Sequence, residues 1–269
     1  MALDFKGDAL RQNQQATWAA GDYQKIAALV TGEVEWLVER MDLDAGARVL
    51  DVAAGTGNAA LAAARRNAKV TACDFVPALL DHAVKRAGAE GLEIVTEPAD
   101  CEALPFGDGV FDAAVSSFGI MFAAGHEKAA SEIARVVRRG GRIGLANWTP
   151  QGFIGQLLKT VGRHLPPPPA GMQQPVLWGD ADHLRQLFPG ATLDIVEREF
   201  VFRFASAEDW VAFFRAYYGP TNRAFAALDE AGAAALHEEI VALLGAHNRA
   251  ERGLKVPSSY LDVIVTLDG

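Results

Sequence analysis

Cysteine is nearly missing from this chain. Only Cys73 and Cys101 occur in 269 residues, neither in a CxxC arrangement nor at ligand spacing from a histidine. Neither a disulfide framework nor a zinc site is readable, and a reducing compartment fits. Basic runs are absent as well. The formal charge is -9, and no five consecutive Lys or Arg offer a surface that could track the phosphates of DNA or RNA. No stretch of about 18 uninterrupted apolar residues appears, and residues 1–15 are polar and charged, so neither a membrane span nor a secretory leader is expected. These absences predict a cytoplasmic protein, monomer or homodimer, whose partner is a small molecule and not nucleic acid, membrane or metal. What the chain has is apolar bulk: 50% of its residues are hydrophobic, enough for a sizeable core.

Periodicity then organises the chain. Val30, Val34, Leu37, Val38 and Met41 recur on one helical face before the first glycine cluster. Residues 48–52 read as a buried strand, and 69–74, 92–96, 111–116 and 142–147 as further strands. Helices separate them: an alanine-rich one after Gly57, one opening at Pro77 with Leu80, Ala83, Val84 and Ala87 inward, and one over 127–138. Such alternation predicts a doubly wound α/β fold around a mostly parallel sheet covered on both faces. Residues 149–179, punctuated by glycine and by Pro166 to Pro169, read as a covering loop region. Two further strands, 193–204 and 260–267, flank helical sequence over about 207–252. They complete a seven-stranded sheet and suit a reversed last strand. The expected organisation is one domain over 1–269: N-terminal helices (1–44), a nucleotide-binding core (45–148), and a substrate-covering region holding a helical insertion and the last two strands (149–269).

The segment Asp51-Val52-Ala53-Ala54-Gly55-Thr56-Gly57-Asn58 joins the first strand to a helix N-terminus, where glycine lets a ligand approach backbone amides. Gly55 to Ala60 also satisfies the dinucleotide fingerprint with alanine third, and Asp74 closes the second strand where a ribose-binding acid belongs. An NAD(P)-dependent reductase is therefore one reading. Asp51 opposes it, because a carboxylate inside the strand end suits a cation and repels a pyrophosphate.

Leu50-Asp51-Val52-Ala53-Ala54-Gly55-Thr56-Gly57, Asp100 with Leu104-Pro105-Phe106, Phe111-Asp112, and Arg138-Arg139-Gly140-Gly141 together resemble the UbiE-like class I methyltransferases over roughly 45–148. One departure is Arg139, where proline commonly precedes the paired glycines. The resemblance implies a Rossmann-like methyltransferase fold with S-adenosylmethionine as cofactor. It implies that Asp51, Ala53, Gly55 and Gly57 line the methionine end, and that Asp74 grips the ribose hydroxyls. Phe75 would pack on adenine, Asp100 and Cys101 would meet its edge, and Ser116 or Ser117 would end the fourth strand beside it.

Acceptor-holding candidates are Trp18, Tyr23, Phe118, Met121, Phe122, Trp148, Phe153 and Trp178, foremost Phe118, Phe122 and Trp148. Methyl transfer depends chiefly on alignment, so no special nucleophile is required. His126 is the candidate general base; the other five histidines read as solvated surface groups. The leading reading is methylation, at O or C, of a small aromatic or quinone-like metabolite. An N-methyltransferase of a small amine and a non-catalytic S-adenosylmethionine-binding module stand beside the reductase as alternatives.

Overall fold

The computed structural model describes residues 5–169 and 172–269; residues 1–4 of the N-terminal stretch and 170–171 of the covering region lie outside that description. Three helices come first: α1 (Phe5–Trp18), α2 (Tyr23–Leu29) and α3 (Thr31–Arg40). The core then alternates as expected: β1 (Arg48–Val52), α4 (Asn58–Arg65), β2 (Lys69–Asp74), α5 (Pro77–Ala89), β3 (Ile94–Pro98), β4 (Phe111–Ser117), α6 (His126–Val136) and β5 (Val137–Trp148). Next come α7 (Phe153–Arg163), α8 (Ala181–Leu187) and β6 (Thr192–Phe204). The insertion α9 (Ala207–Tyr217), α10 (Gly219–Ala226) and α11 (Glu230–His247) precedes β7 (Leu254–Thr266).

The strands form one seven-stranded sheet in the order β3-β2-β1-β4-β5-β7-β6. All neighbours are parallel up to β5, and β7 runs antiparallel to both β5 and β6. Val49, Leu50 and Val52 are wholly buried, as strands covered on both faces must be. Among the described residues no helix is long and apolar enough to cross a membrane.

Four expectations shift. The covering stretch is not all loop: α7 runs through it, and its Gly155 is needed because a Cβ there would meet the carbonyl oxygens of Thr149 and Pro150. β7 begins six residues early, and its Leu254–Ser259 half pairs only with β6. Pro257 is tolerated there because one flank has no strand to receive an amide. The helix expected over 127–138 gives way at Val137 to β5, whose register on β4 slips between Phe111 and Ala113. Val84, expected inward, is 47% exposed.

Two devices fix the roof over the carboxyl ends of the strands. Asp262, fully buried on β7, accepts hydrogen bonds from Arg40 of α3 and, at 2.8 Å, from Nε of Arg198 on β6. Close backbone contact joins the N-terminal helices to the insertion: a Cβ on Gly21 would lie 2.6 Å from the Tyr217 carbonyl oxygen, and one on Gly219 would strike the Thr17 carbonyl oxygen. Asp262→Ala takes the buried carboxylate from Arg198 and leaves Arg40 only Asp194 and the residue-262 carbonyl, and should destabilise the protein by about 3 kcal/mol. The check is a lower denaturant midpoint at unchanged slope.

Candidate functional site

Between the glycine loop and α1 lies a cavity of about 270 Å³. Its floor begins where β1 ends. Ala53 and Gly55 sit at φ 53° and 55°, and Phe118, after β4, holds φ 56°. Left-handed backbone at two non-glycine residues facing one cavity is the kind of local strain that functional sites store. Asp74 fastens the loop: its Oδ2 accepts from the Gly55 amide at 2.8 Å and its Oδ1 from the Val76 amide at 2.9 Å. From behind, Arg86 of α5 donates to the Thr56 carbonyl at 2.7 Å and to Asn58 Oδ1 at 2.8 Å. Asn58 Nδ2 in turn donates to the Ala27 carbonyl of α2 at 2.8 Å.

α1 forms the roof. Arg11 pairs with Asp100 at 2.8 Å, Gln14 donates to the Phe122 carbonyl at 3.3 Å, and Gln15 to the Phe75 carbonyl at 2.6 Å. Trp18 stands edge-on to Tyr23, Phe122 and Tyr218, with centroids 5.7, 4.7 and 5.8 Å away. Behind that partition a second, smaller chamber of about 40 Å³ is lined by aromatic and aliphatic side chains from α2, β5, α7, β6 and α9. The two spaces share Trp18, Tyr23, Phe118 and Phe122 as walls.

Of the residues expected at a cofactor, Ala53, Gly55, Asp74, Phe75, Asp100 and Cys101 line the main cavity. Asp51, Gly57 and Ser116 do not. Asp51 Oδ2 accepts from the Ala60 amide in the first turn of α4 at 2.8 Å, leaving Oδ1 buried without a partner. Gly57 packs on α5, where a Cβ would come 2.7 Å from that of Ala83. Ser116 is consumed structurally, donating to the Val52 carbonyl at 2.6 Å and accepting from the Ile120 amide at 3.0 Å.

Of the acceptor candidates, Trp18, Tyr23, Phe118, Phe122 and Trp148 face the cavity or chamber. Trp178 packs instead against His126 and Phe188. Met121 and Phe153 are buried in the core. His126 lies outside both spaces. Its Nδ1 is 3.0 Å from Nε2 of His183, and burial, then the neighbouring His183, lowers its pKa to about 4. It is a neutral core group, and His183 is its partner and not a solvated surface residue. Sequence reasoning missed Arg11, Gln14 and Tyr218. The helix break at Tyr218-Gly219-Pro220 was the available signal for the last of these.

Burial raises Asp74 to about 6, against the pull of three backbone amides. Burial also raises Asp51 to about 8, opposed by the Ala60 amide and aided by the Asp74 charge. Two protonatable carboxyl groups at the glycine loop, one with an orphaned oxygen, are what a ligand cation would neutralise. The residues present thus fit the sulfonium-bearing cofactor that the resemblance implies.

Comparison with known proteins agrees. A methyltransferase-domain profile matches residues 49–141. An uncharacterized protein of Mycobacterium tuberculosis is 44% identical over 212 residues, 77% of either chain. A demethylmenaquinone methyltransferase of Thermus thermophilus is 41% identical over 123 residues, 44% of this chain and 56% of that one. The crystal structure of YcgJ from Bacillus subtilis superposes with a TM-score of 0.62 at 17% identity, covering 88% of this chain and 98% of that one, which speaks for the fold.

The two acids carry a pH signature. The folded state keeps the Asp51 proton up to about pH 8, whereas an ordinary aspartate loses it near 3.8. Ligand-free stability therefore falls as pH climbs through that window. Asp51→Asn removes the penalty and should gain stability over wild type by about 2 kcal/mol at its upper end, with little difference at the lower end. Paired denaturation curves across pH measure this.

Proposed function

This chain belongs to the class I S-adenosylmethionine-dependent methyltransferases, and we propose that it methylates oxygen or carbon of a small aromatic or quinone-like metabolite. The observation that carries this reading is the junction of an acid-lined cavity at the glycine loop with an aromatic chamber across a shared wall. S-adenosylmethionine, when bound, supplies an electrophilic methyl group on its sulfonium.

The chain's own residues do the rest by holding and excluding. Asp74 keeps free lone pairs for the ribose hydroxyls after accepting its two amides. Phe75 offers a face to adenine, and Asp100 with the Cys101 amide offers the polar edge. Ala53 and Gly55 bring backbone close to the methionine end, while Asp51, protonated beneath the loop in the empty protein, takes on charge when the cation arrives. The acceptor's ring is held by Trp18, Tyr23, Phe118, Phe122 and Trp148, which also keep water from the transfer line. Alignment behind the methyl group, in a dry pocket, supplies the rate without a dedicated base. The demethylmenaquinone relative supports a quinone-like acceptor, and the acidic surface supports a cytoplasmic enzyme that leaves nucleic acid alone. Segments 1–44, 45–148 and 149–269 act as one catalytic unit, since all three contribute walls.

Calorimetry with S-adenosylmethionine and S-adenosylhomocysteine tests the reading. Both should bind, and Asp74→Ala should weaken both at least about tenfold by removing the ribose acceptor. Tight NADP binding with neither adenosyl ligand bound, or normal affinity in that variant, would count against it.

A further inference from the structure

The inner chamber has a chemistry of its own. Among the described residues lining it, none is a carboxylate, a cation or an imidazole. The polar side-chain groups its lining residues carry are the hydroxyls of Tyr23 and Tyr218 and the indole N–H groups of Trp18 and Trp148. Tyr218 comes from the junction of α9 and α10, far along the chain from α1, yet its ring centroid lies 5.8 Å from that of Trp18. No hydrogen bond among the described residues engages its hydroxyl. Burial raises both phenols well above their ordinary range, Tyr23 to about 12. At neutral pH they are protonated donors and not bases.

The geometry points to this chamber as the acceptor subsite, selective for an uncharged single-ring aromatic whose oxygen accepts a hydrogen bond from Tyr218. The inference rests on the methyl-transfer reading. A charged ring is disfavoured on two counts. A buried carboxylate or ammonium finds no counter-charge on these walls, and an ammonium group would also be repelled by the sulfonium across the partition. At about 40 Å³ the chamber is smaller than the roughly 150 Å³ that houses a benzene ring, so a ring enters by displacing a wall. Trp18 is the wall the inference requires to shift: it comes from α1, whose rim contacts through Arg11, Gln14 and Gln15 are polar and not core packing. Tyr218 is thus a positioning and specificity residue: it fixes where the acceptor's oxygen sits while the aromatic walls fix the ring plane.

The test uses the full chain and three probes of one shape, p-cresol, benzoate and benzylamine, with toluene as the reference lacking oxygen. Binding is measured by calorimetry with and without S-adenosylhomocysteine. The expected result is that p-cresol binds at least about tenfold more tightly than benzoate or benzylamine. Tyr218→Phe should weaken p-cresol about fivefold to tenfold and leave toluene and S-adenosylhomocysteine unchanged, a split that a merely structural role would not produce. Ile154→Trp, which fills the chamber from α7, should abolish binding of p-cresol and toluene alike while S-adenosylhomocysteine still binds. Benzoate or benzylamine binding as tightly as p-cresol would overturn the inference. So would a Tyr218→Phe variant that binds p-cresol normally, or that loses toluene in equal measure. Failure of p-cresol with the adenosyl ligand bound sinks this inference alone. Failure of the adenosyl ligand with p-cresol bound sinks the methyl-transfer reading and leaves the chamber's selectivity standing.

Discussion

The site depends on one carboxylate held between two amides. Asp74, at the tip of β2, accepts from Gly55 and Val76, so the loop after β1 and the turn before α5 are pinned to a single side chain. Parallel pairing of β1 with β2 puts Asp51 opposite Ala72, and Asp74 two residues further along. The acid therefore reaches the loop without any irregularity in the sheet. The arrangement is costly for the empty protein, since burial penalises the charge at both Asp51 and Asp74. That cost is the complement of affinity: a cation beside the loop recovers what desolvation withholds.

Above this floor the protein builds its binding space from parts that are far apart in sequence. α1 and α2 supply Trp18 and Tyr23, the core supplies Phe118 and Phe122, and the stretch after β5 supplies Ile154, Phe202, Phe214 and Tyr218. Stacking of Trp210 on Phe214, with Phe153 and Phe202 edge-on to Trp210, stiffens the insertion that carries Tyr218. Buried Asp262, gripped by Arg40 and Arg198, ties α3 to the two strands on either side of that insertion. On the proposed reading, recognition of the cofactor falls to the β1–β4 half, and recognition of the acceptor to the roof and the later strands.

The first half was legible because its physics is local. β1 and β2 read with correct ends, since strands buried on both faces are continuous apolar runs, and the glycine loop announces itself by residue type. The later half was legible only in outline. Gly152, Gly155 and Gly162 read as loop punctuation, whereas Gly155 is there to let α7 approach the chain at Thr149 and Pro150. Pro257 lies ahead of the strand expected over 260–267, yet it belongs to β7 and sits where that strand has a neighbour on one side only. Ser116, His126 and Trp178 were misjudged for a different reason: position along the chain does not reveal which way a side chain points. Ser116 turns its hydroxyl to Val52 and Ile120, and His126 turns its ring to His183 and Trp178.

Gly21 and Gly219 bring the α1–α2 turn and the α9–α10 junction so close that neither has room for a methyl group. The N-terminal helices and the insertion accordingly meet backbone to backbone, with Trp18 as the panel common to both spaces. A substitution at Trp18 is therefore felt on both sides of the partition at once, because the same indole bounds each space.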